Sequence, residues 1–274
     1  LTTQVAALPG MLTRPVFAGR GMMMRARLGR SYHAGVNLHE IEGHATGVTA
    51  VYWADARGKP RRSPCDMIGL GWHLRAETQL AGLAGAEFDW SEIWAQWLPR
   101  ADRHGRVRNG VYLAGDGLRI LGADGAEVAG RLAAAACLAD MGLPAPDTRG
   151  DLARLDRLER FARGIARAFP WPAVMVRALP DEAVVCRCEG VSVATLRATV
   201  DHGGADANRV KSLGRVGMGR CQGRYCQLAA AELIAARSGA RPCEVGRLRD
   251  QAPARPALIG GLAQTRPTDG PDPA

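Results

Sequence analysis

The sequence predicts an α/β chain that ends in a small helical domain built around four cysteines. Three observations carry that expectation. A short apolar run, a glycine turn and a long alanine-rich helical stretch follow one another over residues 109–141, as in one half of a nucleotide-binding α/β unit. Four of the seven cysteines fall into a C-x-C pair, Cys186 and Cys188, and a C-x4-C pair, Cys221 and Cys226, whereas Cys65, Cys137 and Cys243 stand alone. Aromatic residues make up only 5% of the chain, and the abundant alanine suits helices packed through small side chains.

Composition narrows the function classes. A chain of 274 residues is long enough for one large or two modest cores. The net charge of +9 rests on arginine, because Lys59 and Lys211 are the only lysines. The arginines are spread along the whole chain, and no basic block is interleaved with aromatics. A nucleic-acid partner is therefore not expected. No apolar run approaches the ~20 residues of a membrane-spanning helix, so a cytoplasmic protein without a membrane span is expected.

In chain order, Leu8 to Arg30 is basic and methionine-rich, with helical tendency interrupted by Pro9, Pro15 and Gly19-Arg-Gly21. Strand-like pieces follow at Ser31–Val36, His39–Ile41, Val48–Ala54 and Asp66–Leu70, separated by glycine and charged turns. Trp90, Trp94 and Trp97 fall on one side of an amphipathic turn and read as packing residues. The six histidines, His33, His39, His44, His73, His104 and His202, show no metal-ligand spacing.

Val111 to Ala114 reads as a short strand, Gly115-Asp116-Gly117 as a turn through which backbone and one carboxylate can approach a ligand, and Ala123 to Met141 as a helix. Pro144-Ala-Pro146 and Gly150 mark a break. Asp151 to Phe169 is then amphipathic: Leu152, Leu155, Leu158, Ala162, Ile165 and Phe169 share one side and five arginines the other. Ser192 suits the N-cap of a helix through Val200 that Gly203-Gly204 ends. A shorter helix over Asp206–Leu213 and a last one over Leu228–Ala236 complete the domain. Beyond Arg241 the chain is proline-rich, so residues 244–274 are expected to form an extended, partly disordered tail.

The cysteine pairs point to a metal or an iron–sulfur cluster, since grouped thiolates are the ligands of both. Cys226 stands at the start of an apolar helix, where free N–H groups and the macrodipole favour negative charge. Arg187, Lys211, Arg220 and Arg224 add positive charge nearby. A disulfide within C-x-C would close a very small, strained ring. Zinc competes: its knuckles accommodate C-x4-C but not C-x-C, so spacing alone leaves the metal open, and a zinc-binding interaction or nucleic-acid-binding module without enzymatic activity is the alternative.

The segment from Val184-Val-Cys-Arg-Cys-Glu-Gly190 to Gly219-Arg-Cys-Gln-Gly-Arg-Tyr-Cys226 resembles the cluster-binding domain related to bacterioferritin-associated ferredoxin. The likeness is to the form appended to flavoprotein subunits of opine oxidases, hydrogen cyanide synthase and related amino-acid dehydrogenases. The resemblance implies a 2Fe-2S cluster held by Cys186, Cys188, Cys221 and Cys226. Gly110-Val-Tyr-Leu-Ala-Gly-Asp-Gly117 resembles the second flavin motif of the glutathione-reductase-like flavoproteins, which implies that Gly115, Asp116 and Gly117 meet FAD. Leu74 to Leu80 resembles the point where that family's chain returns to its FAD domain.

These resemblances divide the chain into 1–146, the C-terminal portion of an FAD/NAD-binding oxidoreductase domain of two-dinucleotide-domain type; 147–178, a helical linker; 179–243, the cluster domain; and 244–274, the tail. The first fingerprint, G-x-G-x-x-G, is absent and the chain opens on Leu1, so an N-terminally incomplete chain with an incomplete FAD site is expected. The implied function is that of an FAD-dependent oxidoreductase subunit. It would pass electrons from a substrate-oxidising flavoprotein partner acting on an amine, opine or amino acid. No general base or nucleophile stands out. The apolar side of helix 151–169 needs a surface to cover, so the cluster domain is expected to dock on the preceding part.

Overall fold

The computed structural model describes residues 8–263. The N-terminal helix α1 (Pro15–Leu28) runs straight through Gly19-Arg-Gly21, where an interruption was expected. Pro15 occupies the first turn, where its missing N–H is not needed, and each glycine costs only ~1 kcal/mol. None of its residues is buried. It is held from one side by Phe17, whose ring stands edge-on to Phe161 at 5.3 Å, and by an ion pair from Arg14 to Asp124.

A three-stranded antiparallel sheet follows, β1 (Asn37–His44), β2 (Gly47–Ala54) and β3 (Pro60–Pro64), in that order. Ser31–Val36 and Asp66–Leu70, expected as strands, lie outside it. One carboxylate explains why 60–64 takes the third place: Glu42 accepts from Thr49 at 2.9 Å and Tyr52 at 2.8 Å on β2, and from Arg62 at 2.9 Å on β3. Pro60 and Pro64 sit at the ends of an edge strand, where missing donors are harmless.

The three tryptophans form a hairpin, not a helical turn. β4 (Phe88–Ser91) pairs with β5 (Gln96–Pro99), placing Trp90 opposite Trp97 with ring centroids 5.8 Å apart, while Trp94 is buried in the connection. A spacing of four and three imitates a helical period, but the cross-strand aromatic pair decides the outcome.

Near the middle, β6 (Arg106–Arg108) and β7 (Val111–Tyr112) form a second short antiparallel pair. Among the described residues every strand pair is antiparallel. The strand–turn–helix order is present, yet β7 joins no parallel sheet of the dinucleotide-binding type. Helix α2 (Gln79–Leu83) precedes the tryptophan hairpin; α3 (Ala123–Asp140) and α4 (Arg149–Ala168) pack against each other through Val128, Leu132, Leu155 and Leu158. Ala166, in the last turn of α4, joins Ala76, Trp94 and Leu98 in a neighbouring core. Up to Ala166 the apolar side of α4 is thus covered by residues that precede Ala145, whereas Phe169, expected on the same side, ends the helix exposed.

The C-terminal domain has its own core of sixteen buried residues, centred on Leu196, Leu233, Ile234, Val193, Val210 and Val245. Its elements are α5 (Ala173–Arg177), a hairpin of β8 (Val184–Cys186) and β9 (Val191–Ser192), α6 (Val193–Gly203), α7 (Ala207–Gly214), α8 (Gln227–Ser238) and α9 (Pro242–Val245). Local chemistry fixes the helix starts: the Ser192 hydroxyl accepts from the Thr195 N–H at 3.2 Å, and Asp206 accepts from Asn208 and Arg209. Burying a Leu or Ile here contributes ~1.5–3 kcal/mol.

The start of the expected tail belongs to this core. Val245 is fully buried and Leu248 nearly so, because α9 folds back over α8. A last short helix, α10 (Ile259–Ala263), follows. The rest of the expected tail, residues 264–274, lies outside the described residues.

Candidate metal centre

All four paired cysteines lie within one small region. Cys186 ends β8 and is 1% exposed; Cys188 is exposed in the turn of the β8–β9 hairpin. Cys221 is partly buried in the loop after α7, and Cys226, 2% exposed, occupies the N-cap of α8. The pairs meet crosswise: Cys186 lies beside Cys226, and Cys188 lies beside Cys221. The hairpin is thereby joined to the loop at an inner and an outer point. Among the described residues no three His, Cys, Asp or Glu side chains are arranged to hold a single metal ion. A two-by-two arrangement of thiolates suits a two-iron cluster with four cysteine ligands.

The loop is shaped to receive such a group. Gly217 and Gly223 adopt φ of 78° and 79°, in the left-handed region that glycine enters freely. A Cβ at Gly219 would lie 2.4 Å from the Cβ of Cys188, so only glycine lets the loop come this close to the hairpin.

The thiols differ in consequence. Burial and the adjacent Cys186 push the Cys226 thiol up to about 12. At Cys221, burial also acts upward, but the N–H groups of Tyr225, Gly223 and Arg224, together with the Cys188 thiol, outweigh it and bring the thiol below its ordinary value. Four sulfurs, backbone donors aimed at one of them and a close-fitting glycine loop fit an iron–sulfur cluster. Lone Cys65, Cys137 and Cys243 take no part in this arrangement.

The second expected site is less enclosed. Gly115-Asp116-Gly117 forms one turn of 3-10 helix after β7, with Gly115 at φ 60° and a Cβ there only 3.2 Å from Ala126. The Asp116 side chain is exposed. The nearest cavity, beside Gly115 and lined by His104, Leu113, Leu118 and Leu155, holds about 20 Å³, the size of a water. The Asp116 carboxylate thus faces solvent. Helix α3 starts at Ala123, beyond the turn.

A third set of residues lies in the segment Leu74 to Leu80, expected as a return to an FAD domain and not as a neighbour of the cysteine loop. Residues 75–78 run without regular structure into α2 at Gln79, and the side chains over 75–79 alternate: Ala76 and Thr78 are buried toward the tryptophan hairpin, and Arg75, Glu77 and Gln79 reach the cysteine loop. Arg75 donates to the carbonyls of Gly223 at 3.2 Å and Arg224 at 3.0 Å and to Gln227 Oε1 at 2.9 Å. Gln79 donates to the Gln222 carbonyl at 2.7 Å, and Glu77 accepts from Arg224. The Glu77 N–H donates to the Asp116 carbonyl at 3.0 Å. One segment thus touches the glycine–aspartate turn through its backbone and the cysteine loop through its side chains.

Residues 184–236 match the family described as the BFD-like [2Fe-2S] binding domain. An opine oxidase subunit of Agrobacterium tumefaciens is 34% identical, over 93% of this chain and 52% of its own length. Hydrogen cyanide synthase subunit HcnB of Pseudomonas aeruginosa is 29% identical, over 90% of this chain and 56% of its own. Among solved structures, L-proline dehydrogenase from P. horikoshii shares the fold, with a TM-score of 0.61 and 21% identity over 83% of this chain and 44% of that one. The chain is homologous to these oxidoreductase subunits over most of its length, and it spans about half the length of the curated relatives it matches.

Proposed function

We propose that this homologue of the opine oxidase and hydrogen cyanide synthase subunits is the iron–sulfur-bearing part of an electron-transfer subunit of an amine, opine or amino-acid dehydrogenase or oxidase. Cys186, Cys188, Cys221 and Cys226 hold a 2Fe-2S cluster in this reading. The carrying observation is the crosswise meeting of the two cysteine pairs within the domain that matches the BFD-like family. Bound there, such a cluster accepts and releases single electrons.

The residues of the chain hold, shield and orient. Cys186 and Cys226, both buried, supply the inner thiolates, and Ile234 and Leu248 line the small apolar cavity beside Cys226. Cys188 and Cys221 supply the outer ones, toward solvent. The loop N–H groups at 223–225 compensate the charge on Cys221. Asp116, accessible and set in a glycine turn, would accept a hydroxyl hydrogen bond from FAD, completed by residues outside 8–263 or by another chain. A second, substrate-oxidising subunit is the partner this reading calls for, because the relatives are named as subunits.

The test is chemical. Protein purified without oxygen should carry two irons and two acid-labile sulfides per chain, with a matching visible spectrum. Cys221→Ser should lose them, and Cys137→Ser should keep them. Stoichiometric zinc without sulfide would replace this reading by a zinc-binding interaction module.

A further inference from the structure

The guanidinium of Arg75 is a charge without an acidic partner. It lies at the junction between the first part of the chain and the cysteine loop, with its Nε fully buried and unpaired among the described residues. Its hydrogen bonds all go to neutral acceptors, the carbonyls of Gly223 and Arg224 and the amide oxygen of Gln227. Among the described residues no carboxylate forms an ion pair with it; the nearby Glu77 is engaged by Arg224. Burial of such a cation is costly unless an anion lies close. Within electrostatic reach of Arg75, after Glu77, lies Cys226, the residue before its partner Gln227, whose sulfur carries negative charge once it ligates a cluster.

From this geometry we infer that Arg75 is a positioning residue for the cluster site, which sets the reduction potential of the group held by Cys226 and its three companions. This rests on the reading of the four cysteines as 2Fe-2S ligands. Four thiolates, two sulfides and two ferric ions carry a net charge of −2, which becomes −3 when one electron enters and one iron is reduced to ferrous. A fixed cation beside Cys226 stabilises the more negative state and makes the cluster easier to reduce. Its hydrogen bonds to the Gly223 and Arg224 carbonyls also hold the loop peptides with their N–H groups turned to Cys221. The contribution comes from residue 75, outside the domain that binds the cluster.

The full-length chain, loaded with iron and sulfide under anaerobic conditions, allows a direct test by mediated redox titration followed by visible absorption and EPR. Iron and sulfide are counted first, and a wild-type chain with none overturns the cluster reading itself. In a loaded protein, Arg75→Gln should shift the oxidised-to-reduced ratio at fixed potential by at least tenfold toward oxidised, a midpoint lower by about 59 mV or more for one electron. Arg75→Lys, which keeps the charge, should stay within threefold of wild type. An Arg75→Gln protein with full cluster and unchanged potential refutes the inference. Equal shifts in both variants refute it too, since loop geometry and not charge would then be responsible. If Arg75→Gln does not load, Arg75→His decides: its potential should drop as the pH rises through the imidazole titration, beyond any slope in wild type, and a parallel slope refutes the inference.

Discussion

Replacing Leu248 by alanine should destabilise the cysteine domain although residue 248 lies beyond the last cysteine of the chain. Leu248 is 8% exposed, and its Cδ1 occupies the space above Gly217 and Gly223, 2.6 Å from where a Cβ would stand on either. The substitution removes three buried carbons, about 2.5 kcal/mol at ~0.8 kcal/mol each. A cavity next to Cys226 adds to this, so a total of roughly 2.5–4 kcal/mol is expected, within the range of buried Leu→Ala changes. For a cooperative unit of this size, 1 kcal/mol moves the midpoint by ~4–8 °C, so the apo domain should melt at least ~10 °C lower. Circular dichroism on apo and loaded protein measures it. Leu258→Ala, at a residue 85% exposed in the same C-terminal stretch, is the control and should stay within ~0.5 kcal/mol. If Leu248→Ala is indistinguishable from that control, the packing of the tail into the core is wrong.

Further outcomes test other parts of the molecule. Asp140 accepts from Arg106 at 2.7 Å and Tyr112 at 2.7 Å, which holds its carboxyl down to about 2; the stability it contributes should be complete above pH ~4 and vanish as the pH falls to ~2, and Asp140→Asn should flatten that segment of an acid-unfolding curve. Glu232, buried in α8, accepts from Arg177 at 2.7 Å and from the Trp171 indole at 3.3 Å; Glu232→Ala should cost ~1–3 kcal/mol in urea unfolding by stranding the indole donor, and an unchanged midpoint would show that α5 is not held this way. Asp116→Ala should leave iron and sulfide content unchanged while weakening flavin retention in the assembled oxidoreductase; equal flavin content in both proteins would remove Asp116 from the flavin site. Gly219→Ala should block cluster incorporation, because the new methyl group meets the Cβ of Cys188; full loading would show that the hairpin can yield.

The helices of the cysteine domain were legible because their signals are local. Ser192 and Asp206 cap the helices that begin one residue later, and Cys226 precedes its own helix as its spacing suggested. The tryptophan hairpin was not, since Trp90, Trp94 and Trp97 carry a helical spacing and only the pairing of Trp90 with Trp97 distinguishes the two structures. The third strand was misplaced for a similar reason: its position depends on Arg62 reaching Glu42. Val245 and Leu248 were hidden by the prolines around them, which describe the chain after the core, not within it. Arg75 was invisible as a functional residue because its partners lie 148–152 positions later.

That separation has a consequence for the order in which the molecule is made. A chain emerging N-terminus first exposes Arg75, Glu77 and Gln79 long before residues 222–227 exist to receive them, and closing so long a loop is entropically the last step to become favourable. The cysteine loop therefore reaches its final shape only after both halves of the polypeptide have folded. Maturation of the centre is thereby tied to completion of the whole chain, and a nascent or cleaved product that retains all four sulfurs but has lost the 75–79 segment would lack the contacts that set them.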